Sequence, residues 1–533
     1  MAIVILLVGV VLLIIGYVTY GSWLAKEWGI DPSRPTPAHE LADGVDYVPA
    51  RKAVLLGHHF ASIAGAGPIT GPILASVFGW VPVFIWVVLG SLFFGGVHDF
   101  GSLLASIRHR GQSIGAVIQS SVGQTEKKLF DIFSWLTLIL VVAAFANIIV
   151  STFVSNGAVA TTSLLFIILA VAFGLINQRT NLPLWLTTIF GVSILFLCIW
   201  LGILFPISAS AGVWWAVILV YIYIASVAPV WILLQPRDYL NSFLLYAMML
   251  GAIIGVFIYR PSVQLPAITG FKTSGGFLFP MLFVTVACGA ISGFHSLVSS
   301  GTTSKQLNTE RDAKLIGYGS MLIEGALAVV ALITAAFLTQ AEFSEFASPT
   351  LVFANGVVTF MTAFGLPYDI GQTFVALAVS AFALTSLDTA TRIGRFVFQE
   401  FFSSIDEKTG QIKRTPISNM YVATAITVAF GGALGLTGYA KVWPIFGSAN
   451  QLLAALALLA VAVWLKKQGK NNKMIILPMI FMFTVTILAL LLLIYNNAIT
   501  LSTTGNPILM VIASALLVLA IILASRASKR LRE

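Results

Sequence analysis

Charge is what this chain has least of. Only 9% of its 533 residues are Asp, Glu, Lys or Arg, against 58% hydrophobic. A soluble protein of this size could not hide that much apolar surface, so the composition points to an all-α polytopic membrane protein. Cysteine is nearly absent: Cys198 and Cys288 each sit in an apolar run and form neither a disulfide framework nor a metal-ligand set. Nucleophile motifs and cofactor fingerprints are missing, so neither an enzyme nor a bound cofactor or metal is expected. The formal net charge of +9 does not make a nucleic-acid surface. Its basic residues are scattered over loops, as a bilayer demands. The apolar run from Ala2 lacks a basic leader region and is long enough to span, so no cleaved signal is expected. The largest loops, about 25 residues, leave no room for a soluble signalling domain.

What is present is a series of apolar stretches. Crossings are predicted near 2–24, 53–78, 80–107, 128–154, 158–177, 183–205, 212–235, 238–259, 277–301, 314–339, 371–398, 417–439, 443–466, 473–496 and 506–525. Each is about 20 residues or more, enough for roughly 30 Å of hydrocarbon. Fifteen crossings put the termini on opposite sides. Of 29 basic residues, only Arg260, Lys272 and Lys441 fall on one side. Basic loops stay in the cytoplasm, so the N-terminus is expected outside and the C-terminus inside.

Two crossings are interrupted. RKAVLLGHHFASIAGAGPIT, Arg51–Thr70, carries Gly65, Gly67 and Pro68 mid-run. Phe277–Thr303 is broken around Gly289 and Gly293. Glycine costs a helix interior about 1 kcal/mol and proline about 3. Broken backbone at bilayer depth survives only inside protein or beside a wet cavity. Interrupted helices in matching places of two halves point to a secondary-transporter site, although small residues also serve close helix packing. Short amphipathic stretches, Ser113–Gly123 and Phe343–Leu366, follow each broken-plus-straight helix pair, on opposite sides. The topology is therefore an inverted repeat. The first half holds seven helices where five are expected. 158–205 is the favoured insertion and a seven-plus-seven arrangement the rival. The units are 1–52 (an extra span and loop), 53–259 (first repeat with two extra helices), 260–466 (second repeat) and 467–533 (two accessory spans).

Ionisable groups inside spans cost roughly 2.5–3.5 kcal/mol each and default to a functional reading. His58 and His59 precede the first break, and His295 adjoins the second. Glu324 is placed near the midplane, where a carboxyl could carry a proton. Asp388 and Arg392 stand four apart and are expected to pair on one helix face. With Thr385 and Ser386 a turn earlier, they read as a structural ion pair or as an inner gate offering oxygens to a small cation. His98 and Asp99 form a similar inner cluster. Asn450 and Gln451 read as packing glue between helices.

The stretches RKAVLLGHHFASIAGAGPITGPILA, GGVHDF, LLQPRDYLNSFLL, FHSLVSSGTTSKQL and TSLDTATRIGR together resemble the carbon starvation protein CstA family, to about residue 470. That resemblance implies a bacterial or archaeal inner-membrane importer of peptides or of pyruvate, the latter proton-coupled. It also implies a LeuT-type inverted-repeat core with two broken helices, within the amino acid–polyamine–organocation superfamily. By the same resemblance the two breaks would face each other across the substrate. His59, Ser62, Gly65, Ala66 and Gly67 would line one side, and Gly289, Ser292, Gly293, His295 and Ser296 the other. His58, Glu324, Thr385, Ser386 and Asp388 would serve coupling to H+ or Na+, and His98, Asp99 and Arg392 gating. A channel and a nutrient sensor are the rival classes.

Overall fold

The computed structural model describes residues 1–346, 348–405, 412–413, 415–499 and 507–532. Among them, ten helices are long and apolar enough to cross a membrane. Lys52–Ile63 and Gly67–Phe78 make an eleventh if counted as one span bent by 42°. Ala211–Val227, Pro349–Thr362, Met420–Gly435 and Met510–Arg526 are apolar but shorter. By length and composition alone, ten or eleven helices among the described residues qualify as full crossings, which does not confirm the expected fifteen.

Twelve helices carry the argument. They are α1 (Lys52–Ile63), α2 (Gly67–Ala75), α3 (Gly96–Arg108), α4 (Gln124–Ser155), α5 (Ala211–Val227), α6 (Leu234–Tyr259), α7 (Leu278–Thr285), α8 (Gly293–Gly301), α9 (Ser320–Ala336), α10 (Tyr368–Phe401), α11 (Tyr439–Lys467) and α12 (Lys473–Ile499). The first break is short. Ala64 leaves the helical region at ψ 51°, and Gly67-Pro68 restarts the helix at a position where proline's missing N–H costs nothing. The second break is longer, 286–292. A turn donates from Ala290 and Ile291 to the Ala287 carbonyl, and extended Ser292 leads into α8.

The two breaks pack back to back. A Cβ on Gly71 would meet the Thr285 carbonyl oxygen at 2.8 Å, and one on Gly67 would collide with the Cys288 side chain. Glycine is required here because backbone passes backbone, the small-residue packing that lets membrane helices approach. The broken helices run antiparallel. Ala50, just before α1, bridges Leu307, just after α8. At the far end Val81 donates to the Ala267 carbonyl and Thr269 to that of Phe78. The helix at Ile114–Ser121 follows α3, while Gln340–Glu345 and Pro349–Thr362 follow α9. The order of broken, straight and short helix thus occurs twice with opposite starts.

One expectation needs correction. The span predicted at 212–235 ends at Val227, and α6 begins at Leu234. Pro236 and Arg237, expected in an inner loop, lie in the first turn of α6 and are buried. A proline in a first turn removes no helical hydrogen bond, so it marks a start here rather than a linker.

Candidate functional site

Two buried polar networks flank the breaks. The first is built around Arg237, which is 1% exposed. Its Nε and Nη2 donate to Asp238 Oδ1 at 2.9 and 2.5 Å, and its Nη1 reaches Asp388 Oδ2 and the Tyr221 hydroxyl. Tyr221 donates to Asp388 Oδ2 at 2.7 Å, and Thr385 donates to Asp238 Oδ1 at 3.0 Å. The other Asp238 oxygen holds His58 Nδ1 at 2.6 Å. One guanidinium therefore joins α1, α5, α6 and α10 through two carboxylates. The fork geometry of arginine suits it to such bridging.

The second network has no such cation. Asp99 on α3 accepts from His98 Nδ1 at 2.8 Å and His295 Nδ1 at 3.0 Å. His295 Nε2 on α8 lies 3.5 Å from Glu324 Oε2 on α9. All four side chains are sealed from solvent, and neither Glu324 oxygen has a hydrogen-bond partner. A buried carboxyl without partners is costly as an anion and stable as an acid, so this group is suited to hold a proton.

Smaller contacts tie the breaks to their neighbours. His59 Nδ1 meets Thr303 Oγ1 at 2.8 Å. Ser62 Oγ donates to the His58 carbonyl at 2.7 Å and lies 3.0 Å from Thr389 Oγ1, while Ser386 Oγ donates to the Ser62 carbonyl at 2.9 Å. Asn450 on α11 spans the second break: its Oδ1 accepts from the Phe294 backbone N–H at 2.8 Å, and its Nδ2 donates to Ser292 Oγ at 3.1 Å. The nearby Gln451 Nε2 donates to the Phe283 carbonyl at 3.1 Å. These two amides satisfy backbone that the break leaves open, a specific form of the packing role expected of them. Between the breaks, α11 and α12, lies a cavity of about 280 Å³, bordered by Gly67, Thr70, Cys288 and Asn450.

The expected Asp388–Arg392 pair does not form. Asp388 turns to Arg237 across the bundle. Arg392 Nη1 bonds Asp46 at 2.5 Å, and its Nη2 reaches the carbonyls of Ala225 and Ala228. Helical spacing makes the i, i+4 pair possible, but long-range partners presented at the two ends of the turn separate it. Asp46 lies in the loop between the first helix and α1, and Arg395 bonds it too, at 3.0 Å. Burial pushes the Asp46 carboxyl up, but Arg395 and Arg392 outweigh this and hold it below the usual carboxylate range. His98 and Asp99, grouped with the gate, sit instead with His295 and Glu324.

The residues missed by sequence reasoning are Arg237, Asp238 and Tyr221. Pro236 and Arg237 were expected as a loop; the signal for burial was the apolar flanks of the QPRD stretch, LL before it and YL after. Among the described residues no group of three or more His, Cys, Asp or Glu could hold a metal ion.

Against known families, the model described as carbon starvation protein CstA matches residues 1–355 and 345–489. The chain belongs to the CstA family. Among its relatives, the peptide transporter CstA of Campylobacter jejuni is 33% identical, over 91% of this chain and 79% of that one. The pyruvate/proton symporter BtsT of Escherichia coli is 30% identical, over 86% and 76%. These relatives are named transporters, not enzymes, in keeping with the expectation of a non-enzymatic transporter. Among solved structures, the manganese transporter of Eremococcus coleocola superposes with a TM-score of 0.53 at 15% identity, covering 92% of this chain and 99% of that one. That likeness is one of fold. The many apolar helices and the transporter relatives together describe a multi-pass membrane transporter.

Proposed function

We propose that this protein is a secondary active transporter working by alternating access. It imports a small carboxylate such as pyruvate, or short peptides, together with protons, across the cytoplasmic membrane of a bacterium or archaeon during carbon starvation. The observation that carries the proton is the partnerless Glu324 beside His295 and Asp99, at the unwound second break. Substrate would occupy the space at the breaks, against the residues of α1–α2 and α7–α8 expected to bind it. Half-helix N–H groups would receive its carboxylate.

Sodium is the second reading for the coupling ion. Thr385 and Ser386 are its candidate ligands: their hydroxyls donate to Asp238 and to the Ser62 carbonyl, which leaves oxygen lone pairs for a small cation. The proton is preferred because Glu324 has no hydrogen-bond partner among the described residues. The repeats are assigned to 53–259 and 260–466, with a LeuT-type core, and 1–52 and 467–533 as additions. In this reading the exposed aromatic and aliphatic face of Leu184–Leu204, including Trp185, Phe190 and Trp200, meets lipid at the edge of the first repeat. Arg260 and Lys272 face outward with the N-terminus, and the C-terminus is cytoplasmic.

The test is uptake of labelled pyruvate into liposomes holding the purified protein, with and without an inward proton gradient, competed by a dipeptide. Gradient-driven accumulation untouched by dipeptide supports pyruvate–proton import. Suppression by dipeptide makes it a peptide site or a shared one. Accumulation that appears only on added sodium overturns the choice of ion, and uptake that never exceeds the gradient overturns active transport in favour of a channel.

A further inference from the structure

The cavity of about 280 Å³ lies outside both buried networks, and one of its walls is unexpected. Thr70 of α2, Cys288 of the second break and Asn450 of α11 form one side. Ala489 and Leu493 of α12, a helix outside both repeats, form the other. Among the described residues, no Asp, Glu, Lys, Arg or His borders this space. Its amides are Asn450, already held by Ser292 and the Phe294 N–H, and Asn496 of α12. The volume is at the small end of ligand pockets, which run from about 300 Å³ upward. The lining can contact an aliphatic body but cannot neutralise a charge.

We propose that this chamber receives the uncharged, apolar part of the transported solute, and that α12 sets the largest such part the protein accepts. The inference rests on the transport reading above. It adds a specificity wall, Ala489 and Leu493, from a helix so far treated as accessory. The solute class is a small organic acid or peptide with a short aliphatic group, the charged end remaining at the breaks. An added methylene in a hydrophobic pocket changes recognition by roughly 10–200-fold, enough to select by size.

The experiment measures KM and kcat in proteoliposomes for a series of 2-oxo acids of increasing chain length, and for dipeptides of increasing side-chain size. Leu493→Ala should lower KM for the longer members by about tenfold relative to the shortest, and Ala489→Leu should raise it. A uniform change across the series, or none, overturns the chamber. A second measurement needs no wall variant. In Cys198→Ala protein, Cys288 is the single thiol, and its modification by a small methanethiosulfonate should slow at least fivefold under saturating substrate. Unchanged labelling overturns the proposal. Failure of the unmodified protein to move any of these solutes would instead count against the transport reading itself.

Discussion

The two breaks solve one problem in different ways. At the first, three residues of backbone are open, the Ser386 hydroxyl holds the Ser62 carbonyl just before them, and the charged groups beside them close around Arg237. At the second, seven residues are open, Asn450 and Gln451 hold the backbone, and among the described residues the carboxyls meet histidines rather than an Arg or Lys. In the first network a guanidinium meets two carboxylates and a histidine closes the far end. In the second, Asp99 and Glu324 are served only by His98 and His295. Burying an ion pair gives little net stability, but removing one partner from it is severe. The first network therefore reads as a fixed joint among four helices. The second, with no Arg or Lys among its described residues, is where the proposed transport cycle places its change in proton count.

The sharpest way to break this contrast is to remove the cation. Arg237→Met should strand Asp238 and Asp388 in the interior and lower stability by about 3–5 kcal/mol, visible as a large fall in the thermal unfolding midpoint of purified protein. An unchanged midpoint would mean that the carboxyls are already neutral and the joint is not ionic. Next in size is an effect on function with little on stability. Glu324→Gln keeps the shape of a protonated carboxyl, so it should abolish proton-driven accumulation while substrate exchange and the unfolding midpoint stay near those of the parent. Equal loss of exchange and stability would assign Glu324 to folding. The smallest effect is expected at the amide across the second break. Asn450→Ala leaves the Phe294 N–H unpaired, at a cost of about 1–3 kcal/mol, and should speed hydrogen exchange at 292–296 more than at 62–67.

Much of this was legible along the chain. Gly65, Gly67 and Pro68 disclosed the first break because helix propensity is local, and Gly289 and Gly293 marked the second to within a few residues. His295 and Glu324 stood out because an ionisable group in an apolar run has few innocent explanations. Arg237 did not, since Pro236 before it suggested a loop, and only the path of α6 shows that proline opening a helix. Asp388 and Arg392 misled in the opposite direction. Their spacing was right for a pair, yet each found a partner far away in sequence.

Sequence alone determined the class of molecule, the apolar stretches and the places where helices must stop, because these follow from composition and from the rules of a single turn. Which charges meet was decided only by tertiary structure. A buried side chain takes whichever partner the packing of other helices brings within hydrogen-bond reach. For Asp388 that partner was Arg237, for Arg392 it was Asp46, and for Glu324, among the described residues, there was none within hydrogen-bonding distance.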